Sequence, residues 1–125
     1  MKKDFISNFQ TGKDGEAQAV EYLENIGYSI IKQNFHFGQT GEIDIIAKDG
    51  DTLVFVEVKA RNSDKYGSPL QSITPAKQKK IVNVAKGYLM INNIINTEIR
   101  FDVIAIDKST EPHTIEHLQN AIIIF

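Results

Sequence analysis

The sequence predicts an α/β protein in which helices flank a mixed sheet. Three observations carry that reading. Apolar residues recur at helical spacing in two separate stretches. Between them lies a block of β-branched and aromatic residues broken by the turn signal Asp49-Gly50-Asp51. A further apolar strand pattern follows the second helical stretch.

From Gly15 to Asn25, Ala19, Val20, Leu23 and Ile26 fall on one helical face, and Gly27 sits where a C′ residue belongs. Residues 28–37 (YSIIKQNFHF) read as a strand, and 42–48 and 52–60 as two more. Residues 61–73 are polar, with Gly67 and Pro69, and read as a loop. Thr74-Pro75 starts the second helix, Thr as N-cap and Pro as first helical residue. Ile81, Val84, Ala85, Tyr88 and Leu89 form its inner face, leaving Lys79, Lys80, Asn83 and Lys86 largely outside. Residues 98–107 (EIRFDVIAID) are a strand, and 114–125 add another ending in Ile122, Ile123, Ile124 and Phe125. The order is helix, three strands, helix, then one or two strands, within a single domain spanning residues 1–125.

At 125 residues the chain is long enough to bury a core without staples. The lack of cysteine excludes disulfides, thiolate metal sites and cysteine catalysis. MKKDFISNFQ has no apolar run of signal-peptide length, and no window approaches a membrane span. A cytoplasmic protein that does not enter a membrane is the expectation.

A net charge of −2 hides an asymmetry. Residues 57–90 carry Lys59, Arg61, Lys65, Lys77, Lys79, Lys80 and Lys86 against Glu57 and Asp64, a local balance of +5. The rest of the chain sums to −7. A basic segment beginning at an acidic cluster suits a polyanion brought to a cation site. A solvated helix face is the other reading.

The stretch GEIDIIAKDGDTLVFVEVKAR (41–61) places Asp44, Glu57 and Lys59 among residues typical of a buried sheet. With a two-residue loop at Gly50-Asp51, paired residue numbers sum to 101. Asp44 then falls opposite Glu57, and Glu42 opposite Lys59. Period-two alternation puts these four on one face and Ile43, Ile45, Val54, Val56 and Val58 on the other. Opposed carboxylates about 5 Å apart repel unless a proton or cation joins them.

Two such acids suit Mg²⁺ or Mn²⁺, hard cations that take oxygen ligands and keep waters. Lys59 on the same face could position a water or stabilise charge developing on a phosphate. An ion pair between Lys59 and Glu42 or Asp44, with no metal, is the alternative.

Asp44 followed by Glu57-Val58-Lys59 resembles the D…ExK core of the PD-(D/E)XK nuclease superfamily, which includes Holliday junction resolvases. GEID (41–44), LVFVEVKAR (53–61), YGSP (66–69), RFDV (100–103) and HLQNA (117–121), together with Gly15-Glu16 ahead of Ala19, Tyr22, Leu23 and Gly27, resemble the YraN-like family of small bacterial proteins. The resemblance implies a restriction-endonuclease-like core. It also implies Asp44 and Glu57 as metal ligands, with the Val58 backbone carbonyl as a further one, and Lys59 as catalytic lysine. Glu16 matches an acidic position that resolvase-like members use near the metal, although an exposed helical glutamate accounts for it too. Gln78 resembles a glutamine of related nucleases. The chain departs from the pattern at Ile43, where a proline would precede Asp44, and at Ile122.

His36, His113 and His117 show no ligand or triad spacing and read as surface or packing residues. Arg100 and Asp102 share a strand face and read as an internal ion pair. Two functions are carried forward. One is a Mg²⁺- or Mn²⁺-dependent nuclease acting on DNA phosphodiesters, including branched DNA, with Arg61, Lys77, Lys79 and Lys80 on backbone phosphates. The other is a non-catalytic module of the same fold that binds nucleic acid or a protein. Resolvase-like relatives act as dimers, which makes a homodimer an expectation as well.

Overall fold

A computed structural model describes residues 14–62, 71 and 73–122. Its elements run α1 (Asp14–Asn25), β1 (Ser29–Phe37), β2 (Gly41–Asp49), β3 (Thr52–Arg61), α2 (Pro75–Ile91), β4 (Ile99–Asp107) and β5 (Thr114–Leu118). The five strands form one sheet in sequence order. Only β3 and β4, the pair joined across α2, run parallel. This is the mixed α/β sheet expected. YGSP, the N-terminal residues 1–13 and Ile123 to Phe125 lie outside the described residues.

Both helices end as their sequences dictate. Gly27 adopts φ +100 while its N–H reaches the Glu24 carbonyl and the Tyr28 N–H reaches Leu23, which satisfies carbonyls that the helix leaves open. Asn93, at φ +54, ends α2 with the same pair of bonds, to Met90 and Leu89. At the start of α2, the Thr74 hydroxyl accepts the Lys77 N–H at 3.2 Å and Pro75 follows.

The sheet separates two apolar clusters. Ile45, Ala47, Val54, Val56, Ile104 and Ile106 face α1 through Ala19 and Leu23. Ile46, Leu53, Phe55, Phe101 and Val103 face α2 through Ile81, Val84, Ala85 and Tyr88. Helix α2 lies close to the sheet because it presents Gly87 to Phe37. A Cβ at that position would stand 2.6 Å from the phenyl ring.

Two expectations need correction. Ile43 does not share the α1-side face of Ile45. It belongs to the α2-side cluster, with Phe35 and Phe37 packed against it. The reversal coincides with Asn34 at φ +54, a position flanked by the pairs Gln33↔Ile45 and Phe35↔Ile43. A left-handed residue rotates the strand that follows it, and a period-two reading cannot register that turn. The C-terminal strand is also shorter than expected. It ends at Leu118, and Asn120 at φ +54 turns the chain back so that Ala121 N–H meets the Phe101 carbonyl at 2.7 Å. Ile122 is buried in the α2-side core and not in a strand.

Candidate active site

The β2–β3 hairpin closes at Asp49↔Thr52 around Gly50-Asp51, with Gly50 at φ +62, and its register sums to 101 throughout. The ladder ends at Ile45↔Val56, one step short of the acids. In a regular continuation the next backbone bonds would join Ile43 and Val58. Instead the Val58 N–H donates to Asp44 Oδ2 at 2.8 Å. The side chain of Asp44 stands in for the missing ladder acceptor, and the two strands fork around it.

Glu57 and Lys59 follow Phe55 on the α2 side of β3, both half-buried. Burial pushes the Asp44 carboxyl up to about 6. The Val58 N–H opposes that, Glu16 and Glu42 add to it, and Lys59 opposes it. Burial likewise raises Glu57 to about 7, with the Asp44 charge adding and Lys59 and Lys77 opposing. Both acids therefore sit where their charged forms are disfavoured although two lysines are near.

A cleft of about 210 Å³ opens beside Glu57, lined by Gly41, Glu42, Lys77, Lys80, Ile81 and Val84. Glu42 is not matched with Lys59. It pairs across β1 with His36, whose Nε2 lies 2.9 Å from its carboxylate. Glu16 reaches the fork from α1, and its Oε2 accepts from Gln33 Nε2 at 3.3 Å. Gln78 turns to the backbone, donating to the Ile73 carbonyl at 3.2 Å. Lys79 is exposed outside the cleft. Arg61, half-buried at the end of β3, borders a second cleft of about 200 Å³ with Ala105, Asp107, Thr114 and Glu116.

Among the described residues, no three His, Asp or Glu side chains converge as a metal-holding group. The donor set is smaller: two carboxylates whose mutual repulsion a cation would relieve. Mg²⁺ suits such a set, because it is commonly bound by one or two carboxylates and completes its shell with water and phosphate oxygens.

A second polar cluster was only half visible in the sequence. Asp102 is fully buried and accepts four bonds: Arg100 Nε at 2.9 Å, Arg100 Nη2 at 3.0 Å, His117 Nε2 at 2.8 Å and Asn120 N–H at 3.0 Å. Burial alone would raise its carboxyl, but the bonds from His117, Arg100 and Asn120 hold it below the ordinary value. Arg100 Nη1 reaches Asp49 at 3.1 Å and Nη2 reaches the Tyr28 hydroxyl, while His117 Nδ1 meets the Tyr22 hydroxyl at 3.2 Å. The expected Arg100–Asp102 ion pair is present. His117, read as a surface or packing residue, is instead a buried partner of Asp102. The RFDV and HLQNA segments supply these residues, so two motifs distant in sequence form one cluster.

No helix among the described residues is long and apolar enough to cross a membrane. The model of the family described as "Uncharacterised protein family UPF0102" matches residues 15–106. The UPF0102 protein of Syntrophus aciditrophicus is 47% identical over 114 residues, covering 91% of this chain and 89% of the relative. That of Chlorobium chlorochromatii is 45% identical over 121 residues, 92% of each chain. That of Clostridioides difficile is 44% identical over 116 residues, 93% of this chain and 99% of the relative. The matched span runs from Gly15 on α1 through the fork to Ile106 on β4, and with such coverage the chain belongs to the YraN-like family UPF0102.

Proposed function

We propose that this protein is a nuclease of the PD-(D/E)XK type that hydrolyses DNA phosphodiester bonds with Mg²⁺ or Mn²⁺. The observation that carries this reading is the Asp44–Glu57 pair: two acids held at a strand fork, both raised by burial, beside Lys59 and a lysine-lined cleft. The buried ion cluster at Asp102 behaves differently, since bonds from His117, Arg100 and Asn120 lower its carboxyl, whereas the Asp44–Glu57 pair stays raised with lysines nearby.

Asp44 and Glu57 would hold the cation, with the Val58 carbonyl as a backbone ligand and Glu16 approaching from α1. The cation supplies Lewis-acid polarisation of a phosphoryl oxygen and lowers the pKa of a bound water. The Val58 N–H engages Asp44 Oδ2, and no described residue hydrogen-bonds Oδ1, the oxygen that would face the cation. Lys59 orients the attacking water or meets charge developing on the phosphate. Lys77 and Lys80 hold the backbone on the α2 side of the cleft, with Lys79 exposed beside them on the same helix and Arg61 taking a backbone phosphate farther along, at the second cleft. A homodimer in the cytoplasm acting on branched DNA belongs to the same proposal.

The test is incubation of purified protein with linear and branched DNA in Mn²⁺, with an EDTA control. Cleavage that Glu57→Gln abolishes supports the site. Cleavage that survives Glu57→Gln removes it. A second reading, a non-catalytic binding module, draws support from the small donor set among the described residues. DNA binding without cleavage on any substrate, and without a thermal shift in Mn²⁺, would favour it.

A further inference from the structure

The two helices that cover the sheet are charged oppositely. Helix α1 (DGEAQAVEYLEN) contains no lysine or arginine, and helix α2 (PAKQKKIVNVAKGYLMI) contains no acid. Glu21 is half-buried and Glu24 exposed on α1, whereas Lys77, Lys79, Lys80 and Lys86 are all exposed on α2. A polyanion is therefore repelled from one face of the molecule and drawn to the other. The acidic fork lies at the end of the sheet where α2 begins.

Within α2 the lysines separate by direction. Lys77 and Lys80 line the cleft with Ile81 and Val84. Lys79, Asn83 and Lys86 stand at i, i+4 and i+7, neighbours along one outward ridge that is exposed throughout. From Lys79 to Lys86 the ridge spans about 10 Å, at 1.5 Å per residue. Neither lysine forms an ion pair with a described residue. Lys79 and Lys86 place like charges along one ridge of a helix that contains no acid of its own, a self-repulsion that a bound line of phosphates would relieve.

We infer that the outer ridge of α2 is a phosphate track, on which Lys79, Asn83 and Lys86 hold the DNA strand that continues beyond the cleft. The inference rests on the nuclease reading and names its substrate class. The substrate is a polynucleotide with an arm reaching past the reacting phosphate, not a short phosphodiester. Lys86 contributes to binding although it is several turns from the acids.

The experiment measures binding of fluorescein-labelled single strands of 4 and 20 nucleotides in EDTA across a salt series. It uses the wild-type chain, the double variant Lys79→Gln/Lys86→Gln, and Lys86→Arg. The expected result is tighter binding of the 20-mer. The slope of log K against log salt should fall in magnitude by about 0.7 for each lysine replaced by glutamine. It should stay near the wild-type value in Lys86→Arg, because the charge is retained. Equal slope and affinity for the double variant and wild type would overturn the track, as would a wild-type chain that binds neither strand. Binding that depends on the ridge without any cleavage in Mn²⁺ would leave the track standing and remove the catalytic reading. Glu57-dependent cleavage with an inert ridge would do the reverse.

Discussion

Asp44 and Val58 are joined by a bond that belongs to neither strand's ladder: the carboxylate takes the backbone N–H at 2.8 Å where β2 parts from β3. One side chain both terminates the sheet pairing and sets the position of the acidic pair. Charge and hydrogen bonding at Asp44 can therefore be separated by substitution. Asp44→Ala leaves the Val58 N–H unpaired in a half-buried position and should destabilise the fold by about 1–3 kcal/mol. Asp44→Asn keeps an acceptor and removes the charge, so its melting temperature at pH 8 should match or exceed that of the wild type. Thermal denaturation of the two variants side by side checks this.

Glu57 should make stability fall as pH rises. Its folded pKa of about 7 exceeds its ordinary value of 4.5, so between those values the native state binds more protons than the unfolded chain. Stability is greatest below the lower value and declines as pH climbs through the higher one, by up to about 3 kcal/mol. Glu57→Gln should make the decline shallower and remove most of it between pH 6 and 7.5, leaving the part below pH 6 that Asp44 contributes, and should be more stable than wild type at pH 8. Urea denaturation at several pH values reads this directly. A wild-type profile unchanged by the substitution would contradict the assignment.

Metal should reverse that penalty. Ligand carboxylates must be deprotonated to bind, so Mn²⁺ affinity should rise with pH across the window set by about 6 for Asp44 and about 7 for Glu57. At pH 8 and a concentration of 100 Kd, Mn²⁺ should add about 2.7 kcal/mol of stability. The shift in melting temperature should vanish in Asp44→Asn and in Glu57→Gln.

The buried cluster around Asp102 should show the opposite pH dependence. Its carboxyl is held below 3.8, so the stability it contributes is present above that value and is lost as pH falls through the lowered one. Asp102→Ala strands Arg100 and His117 without their shared acceptor, and a loss of about 3–5 kcal/mol is expected. His117→Ala removes one of four bonds to Asp102 and should cost less, about 1–3 kcal/mol. Chemical denaturation of both variants at pH 7 gives the ranking.

Packing of α2 can be tested at its tightest point. Gly87→Ala forces a methyl into the Phe37 ring and should destabilise by about 1–3 kcal/mol. Phe37→Leu in the same chain should recover part of that loss, because the two side chains occupy one space. A double-mutant cycle by thermal melting measures the coupling.

Whatever depends on neighbouring residues was legible in the chain itself. Gly50-Asp51 fixes the hairpin register because a two-residue loop leaves no slack, and that register brings Asp44 and Glu57 to the same end of the sheet. Gly27 and Thr74-Pro75 mark helix ends because backbone conformation and capping are local. Tertiary structure alone decided the rest. Ile43 packs on the α2 side while Ile45 packs on the α1 side, a reversal that coincides with left-handed Asn34 on the neighbouring strand and that period-two alternation does not register. His117 joins Asp102 only because β5 pairs antiparallel with β4 and α1 covers both, excluding the water that would otherwise satisfy them. The raised carboxyls at the fork have the same origin, since desolvation is a property of the packed molecule and not of any residue's neighbours in sequence.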